Sequence, residues 1–386
     1  MFSTRLDWSL PDNELARMIA RKREEGCAIV DLTDSNPAHA GIALEDSEVL
    51  GALHDEGVLR YEPSAAGLER ARQSVAEYYA SSGVSLSPGD ILLTASTSEA
   101  YSYLFKLLAD PGDEILVPRP SYPLFEHLAA LESVRVSHYA LQYQEGWWVD
   151  LEELERGVNG RTRAIVVVNP NNPTGSYVKR SELDGLMSIC RRHNLALISD
   201  EVFADYALVE DAKRVRTVAG DGDVLRFSLS GLSKLAGLPQ MKLGWMVASG
   251  PGKQEALRRL EWIADTYLSV SAPVQHAAAA WMRLRPGFLV RMMGRLKANL
   301  ALVQGRMETL RVEGGWYAMV RLPRTRSDQE WALRLLDTDG VLVQPGFFYD
   351  VEQESLVVIS LLTEPDLLCE GIGRMEERVL DGGARE

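Results

Sequence analysis

Between residues 91 and 248 the chain repeats one pattern, a short apolar run followed by a helix-length polar segment. The runs fall at 91–94, 114–117, 134–138, 164–168, 195–199, 224–229 and 244–248, and the clearest intervening helices at 98–108 and 182–193. A strand buried on both faces has no polar side to show and reads as a continuous apolar run. A return crossover through a helix makes the next strand parallel. The pattern therefore predicts an α/β three-layer sandwich with a mostly parallel central sheet. Before it, residues 12–25 read as a helix with Leu15, Met18 and Ile19 on one face, 28–32 as a strand, 33–41 as a polar turn and 66–80 as a helix closed by the Gly and Pro of 83–89.

The period changes after Pro273. Helical sequence rich in Arg, Met, Leu and Ala runs to about Leu310 and is interrupted by Gly314 and Gly315. Next come a strand at 316–322, a helix at 328–338, strands at 341–344 and 356–361, and a helix at 364–380. This predicts a smaller α+β domain of residues 273–386, joined by the N-terminal segment 1–48, beside a large domain of 49–272. At 386 residues with 46% hydrophobic side chains, the chain is long enough for two cores.

A formal charge of −14 argues against a surface that coats nucleic acid. Cys27, Cys190 and Cys369 are odd in number and lack metal spacing, and no two of the six histidines pair closely. Free thiols in a reducing compartment and no metal site are expected. No run has the length of a membrane span and the opening residues lack a signal-peptide pattern, so the cytoplasm is the expected location.

In open α/β sheets a ligand sits beyond the carboxyl ends of the strands. Four polar clusters lie there in this chain, at 94–99, 169–175, Asp200 and 228–234. Three of them carry NPNNPTG at 169–175, SDE at 199–201 and SGLSKLAGLPQMKLGW at 230–245. Together and in this order they resemble the class I/II aminotransferases, pyridoxal-phosphate enzymes of fold type I, and the resemblance runs over about residues 28–378.

The resemblance implies that Lys234 carries the cofactor as a Schiff base, yields it to a substrate amine, and then moves a proton between the substrate Cα and the cofactor C4′. Asp200 would hold the pyridine nitrogen protonated, and Asn172 would donate to the phenolic oxygen. Tyr122 would stack on the ring, completing a catalytic set of Lys234, Asp200 and Tyr122. Ser96, Thr97 and Ser98 would cradle the phosphate at a helix N-terminus, helped by Tyr61 from the partner subunit of a homodimer with shared active sites.

Three departures from the family pattern stand out. Lys242 replaces an arginine, keeping the charge and losing the bidentate fork. Phe203 replaces a tyrosine, removing one hydrogen bond to the phenolic oxygen. Val358 stands where the family has an arginine that clamps the substrate carboxylate, which leaves Asn36, Gln344 or a distant Arg5 or Arg321 to serve, or a substrate that is not a plain α-amino acid. The implied activity is amino transfer from an amine or amino-acid donor to a keto or aldehyde acceptor. A β-eliminating lyase, a decarboxylase, and a catalytically silent homologue acting as a binding protein are the alternatives, the last resting on Val358 alone.

Overall fold

The computed structural model describes residues 2–6, 13–42, 44–352 and 355–383. In chain order its strands are β1 (Val30–Asp31), β2 (Ile91–Thr94), β3 (Glu114–Arg119), β4 (Arg135–Tyr143), β5 (Trp147–Val149), β6 (Thr162–Val168), β7 (Ala196–Asp200), β8 (Arg226–Gly231), β9 (Gly244–Ser249), β10 (Tyr317–Arg321), β11 (Val341–Leu342), β12 (Gln344–Pro345) and β13 (Leu356–Ser360). The apolar runs become the inner strands because both faces are covered. β2, β8 and β9 are buried along their whole length, as is β6 apart from Arg163.

The central sheet has eight strands in the order β2-β9-β8-β7-β6-β3-β4-β5. From β8 to β4 neighbouring strands are parallel, while β9 runs antiparallel to both β2 and β8, and β5 antiparallel to β4. The carboxyl ends of β2, β6, β7 and β8 therefore open on the same edge of the sheet as the amino end of β9. Helices between the strands cover both faces, among them Thr97–Leu108, which starts on the Ser96 cap, and Arg180–His193, which Asn194 ends in the left-handed region at φ 53°.

Two smaller sheets lie apart from it. β10, β13 and β12 form an antiparallel trio, and β1 pairs parallel with β11, so the chain's first strand joins its C-terminal third. The run expected as one strand at 341–344 divides between these sheets, Val341–Leu342 pairing with β1 and Gln344–Pro345 with β13. The helical region after Pro273 is one helix, Ala272–Arg306, continuous through Pro286. Its apolar face is fixed in the core by Trp281, fully buried, whose indole N–H donates to the Val49 carbonyl at 3.1 Å. β5 was not expected from the sequence. It is a three-residue edge strand whose alternation, Trp147 and Val149 in and Trp148 out, is too short to stand out.

Candidate active site

At the shared strand edge lies a cavity of about 350 Å³ lined by Ser35, Ser96, Thr97, Ser98, Tyr122, Phe125, Val168, Asn172, Asp200, Val202, Phe203, Gly231, Ser233, Lys234, Pro239, Lys242, Leu243, Gly244 and Tyr317. Nine residues expected at a cofactor site from the sequence meet here: Ser96, Thr97, Ser98, Tyr122, Asn172, Asp200, Phe203, Lys234 and Lys242.

One end is made for an anion. Ser96 caps the helix, its Oγ accepting from the Glu99 N–H at 3.2 Å, so the N–H groups of Thr97 and Ser98 stay outside the helical ladder. Lys242 stands beside them in the left-handed region, φ 51°, a conformation that a non-glycine residue holds only where its surroundings impose it. β9 approaches closely because its first residue has no side chain: a Cβ on Gly244 would lie 3.0 Å from the backbone carbon of Ser96.

The floor holds an acid and an amine. Asp200 ends β7. Its Oδ1 accepts the Val202 N–H at 3.2 Å and its Oδ2 the Tyr101 hydroxyl at 3.2 Å, and no cation lies within ion-pairing distance among the described residues. Burial pushes this carboxyl up to about 6, and those two hydrogen bonds and the charge of Lys234 restrain the rise. Lys234 follows β8 in a one-turn helix, its carbonyl accepting the Tyr206 hydroxyl, and its Nζ sits 4.8 Å from the centre of the Trp316 ring and 5.7 Å from that of Phe203. Burial lowers its pKa to about 8, against a counter-pull from Asp200. Asn172 is 7% exposed, and its Oδ1 finds no protein partner.

These features fit one molecule. A helix N-terminus with a lysine calls for a phosphate, a buried unpaired carboxylate for a cationic ring nitrogen, the Asn172 amide, through its Nδ2, for a ring oxygen, and a depressed lysine for a carbonyl carbon. A family model for "Aminotransferase class I and II" matches residues 31–368. The chain belongs to that family. Among curated relatives, the glutamate-pyruvate aminotransferase AlaA of Escherichia coli is 32% identical over 260 residues, 67% of this chain and 64% of the relative, so the match spans under two thirds of that protein. Human tyrosine aminotransferase is 27% identical over 90% of this chain and 80% of its own length. Among solved structures, the alanine aminotransferase of Pyrococcus furiosus superposes with a TM-score of 0.89 at 24% identity, over 99% of this chain and all of that one. An Escherichia coli aminotransferase gives 0.84 at 25% identity, with 98% of each chain covered. The fold is that of the type I aminotransferases and the cofactor is pyridoxal phosphate.

Other sequence expectations are placed differently. Asn36 does not line the cavity. Its side chain accepts the Ala38 N–H at 3.1 Å and lies 3.2 Å from His39 Nε2, while its neighbour Ser35 faces the cavity. Gln344 is also absent from the lining and accepts the Tyr349 hydroxyl. Val358 is 0% exposed within β13. Arg5 donates to the Leu131 carbonyl at 3.1 Å and Arg321 pairs with Glu308 at 3.0 Å. Tyr61 is 84% exposed and borders a separate groove with Leu93, Leu268 and Val270.

Sequence reasoning missed Tyr101, Ser233, Ser35, Tyr317 and Tyr206. Ser233 stands next to Lys234 inside the quoted motif, and Tyr101 lies one turn into the helix that begins at Thr97, so both carried a local signal. Tyr317 carried none, because β10 reaches the cavity only through the packing of the C-terminal third.

The depressed lysine has a measurable consequence. Only the neutral amine attacks a carbonyl, so capture of added pyridoxal phosphate by cofactor-free protein, trapped with borohydride, is expected to rise with pH through a midpoint near about 8 rather than 10.5. A midpoint at the ordinary lysine value would show that burial does not act on this amine.

Proposed function

We infer that the protein is a pyridoxal-phosphate-dependent aminotransferase. The observation that carries the reading is the convergence of Lys234, Asp200, Asn172 and the 96–98 helix start on one cavity. The net reaction moves an amino group from an amine or amino-acid donor to a keto or aldehyde acceptor. Water is consumed when the donor leaves as a carbonyl compound and is released when the acceptor is aminated.

The cofactor supplies the electron sink that makes a Cα–H bond acidic. The chain's own residues supply the rest. Thr97 and Ser98 N–H groups, with Lys242 and Ser233, hold the phosphate end. Asp200 keeps the ring nitrogen protonated, and Tyr101 orients that carboxylate. Asn172 donates to the phenolic oxygen. Lys234, near the ring faces of Trp316 and Phe203, would hold the cofactor's carbonyl carbon and would move the proton at the substrate Cα. The chain divides functionally into a cofactor-binding unit of residues 49–272 and a smaller unit of 273–386 joined by 1–48, a division supported by the pairing of β1 with β11. No helix among the described residues is long and apolar enough to cross a membrane. The free cysteines Cys27, Cys190 and Cys369 support a reducing cytoplasmic setting.

The working unit is a homodimer in which Tyr61 reaches the phosphate of the partner's site. Its support is the exposure of Tyr61 together with Leu59, Tyr267 and Leu268, an apolar patch of the kind an interface covers. Mixing a Lys234→Ala chain with a Tyr61→Phe chain is expected to restore one competent site per heterodimer. Absence of restoration in mixtures shown to exchange subunits overturns the shared site. The purified protein should be yellow, and a colourless protein that takes up no pyridoxal phosphate would refute the enzymatic reading.

A further inference from the structure

We propose that the substrate half of this cavity accepts an amine bearing a neutral oxygen-containing group, such as an amide, beside its reacting carbon, and disfavours an α-carboxylate. The proposal rests on the amino-transfer reading and names its substrate class. Among the described residues the cavity is lined by two cations, and both lie in its cofactor half: Lys242 beside the 96–98 helix start and Lys234 beside Asp200, Trp316 and Phe203. The remaining wall, Ser35, Phe125, Val202 and Tyr317, is neutral.

Tyr317 is the polar centre of that wall. It is 9% exposed and packs edge-on to Phe203 with ring centres 6.3 Å apart. Burial pushes its phenol up to about 12, despite Ser35 beside it, so it stays an O–H donor at neutral pH. The full charge that acts on this hydroxyl is Asp34, a carboxylate, with His39 Nδ1 2.7 Å from its Oδ2. Candidate cations outside the lining are committed elsewhere. Arg119 donates to the Asp350 carbonyl at 3.2 Å and pairs with Glu352 at 3.1 Å, and Arg321 and Arg5 hold the partners given above.

A carboxylate entering this wall would lose its water and meet a phenol, a hydroxyl and the field of Asp34, with no countercharge from this chain. An amide carbonyl would accept from Tyr317 with no charge to desolvate. The aromatic rings leave room for an apolar remainder.

The test uses the cofactor-loaded protein and matched pairs that differ only in carboxylate against carboxamide. 3-Phenylpropionate and 3-phenylpropanamide, which cannot react, are titrated against the cofactor's absorption. The amide is expected to bind at least as tightly as the acid, whereas an acid bound tighter by more than about 30-fold, the low end for an arginine-held carboxylate, overturns the proposal. Tyr317→Phe keeps the ring and is expected to weaken the amide about three- to ten-fold. Unchanged amide affinity would remove Tyr317 from the assignment. L-Phenylalaninamide is then compared with L-phenylalanine for the rate at which the yellow colour is lost in a single half-reaction, with the amide expected to be at least as fast. Amide-preferring binding with no colour loss from either would uphold the pocket chemistry and overturn amino transfer. Faster loss with the amino acid by more than about 30-fold would overturn the pocket chemistry and uphold amino transfer.

Discussion

Replacing Lys234 with alanine is expected to lower turnover by about four orders of magnitude and to abolish borohydride fixation of the cofactor. The size follows from the two tasks that converge on one amine, covalent capture of the carbonyl carbon and proton transfer at the substrate Cα, neither of which Trp316, Phe203 or Asp200 can take over. The protein should still bind pyridoxal phosphate through the helix start at 96–98 and Asp200, so cofactor retained on gel filtration separates this outcome from misfolding. Removing a charge that burial already penalises should leave the melting temperature unchanged or raised. Residual fixation on the alanine variant would place the covalent bond on another lysine.

Asp200→Asn is the second large effect. It keeps the shape of the side chain and its contact with Tyr101 but removes the charge opposite the ring nitrogen, and the loss of one member of a buried ion pair costs about 3 to 5 kcal/mol, or roughly two to four orders of magnitude in turnover. The sign of a companion effect can be given. Asp200 holds the Lys234 pKa up against burial, so without that charge the midpoint for cofactor capture should fall below about 8. In the wild-type, cofactor-free protein the carboxyl gains its charge only as pH rises through about 6, so uptake should weaken below that pH for the same reason. Turnover of Asp200→Asn within tenfold of wild type would mean that the ring nitrogen needs no anionic partner here.

The inner strands and most of the cofactor half of the site were legible in the sequence for a physical reason. A strand covered on both faces must be apolar throughout, and β2 came out at Ile91–Thr94 because Pro88–Asp90 and Ala95–Ser96 mark its ends chemically. The polar clusters after β2, β6, β7 and β8 were legible because a charge or amide at the end of a buried strand needs a partner. The substrate wall was not legible, because it depends on distant packing and on one-residue differences in aim. Asn36 and Ser35 are neighbours of similar polarity. The amide of Asn36 closes a local turn through Ala38 N–H, and this leaves the shorter Ser35 side chain to face the cavity. The strand expected at 341–344 fails similarly: no local signal at Val343 tells the chain to leave one sheet partner for another.

The strand order turns the sheet edge into a measuring device. The helix start at 96–98 hangs from β2, Lys234 from β8 and Asp200 from β7, and β9 lies between the first two, with Gly244 opposite Thr94 on one side and Gly231 on the other. Adjacent strands are held about 4.8 Å apart by their ladders, so the strand that leads into the anion seat and the strand that leads to the lysine are two spacings apart, about 10 Å, and the strand that carries the carboxylate lies one spacing further along the sheet. These intervals are set by backbone hydrogen bonds, which no side-chain substitution can stretch. Substitutions elsewhere in the cavity can therefore change what reacts without moving the strands from which the helix start, the lysine and the carboxylate are hung.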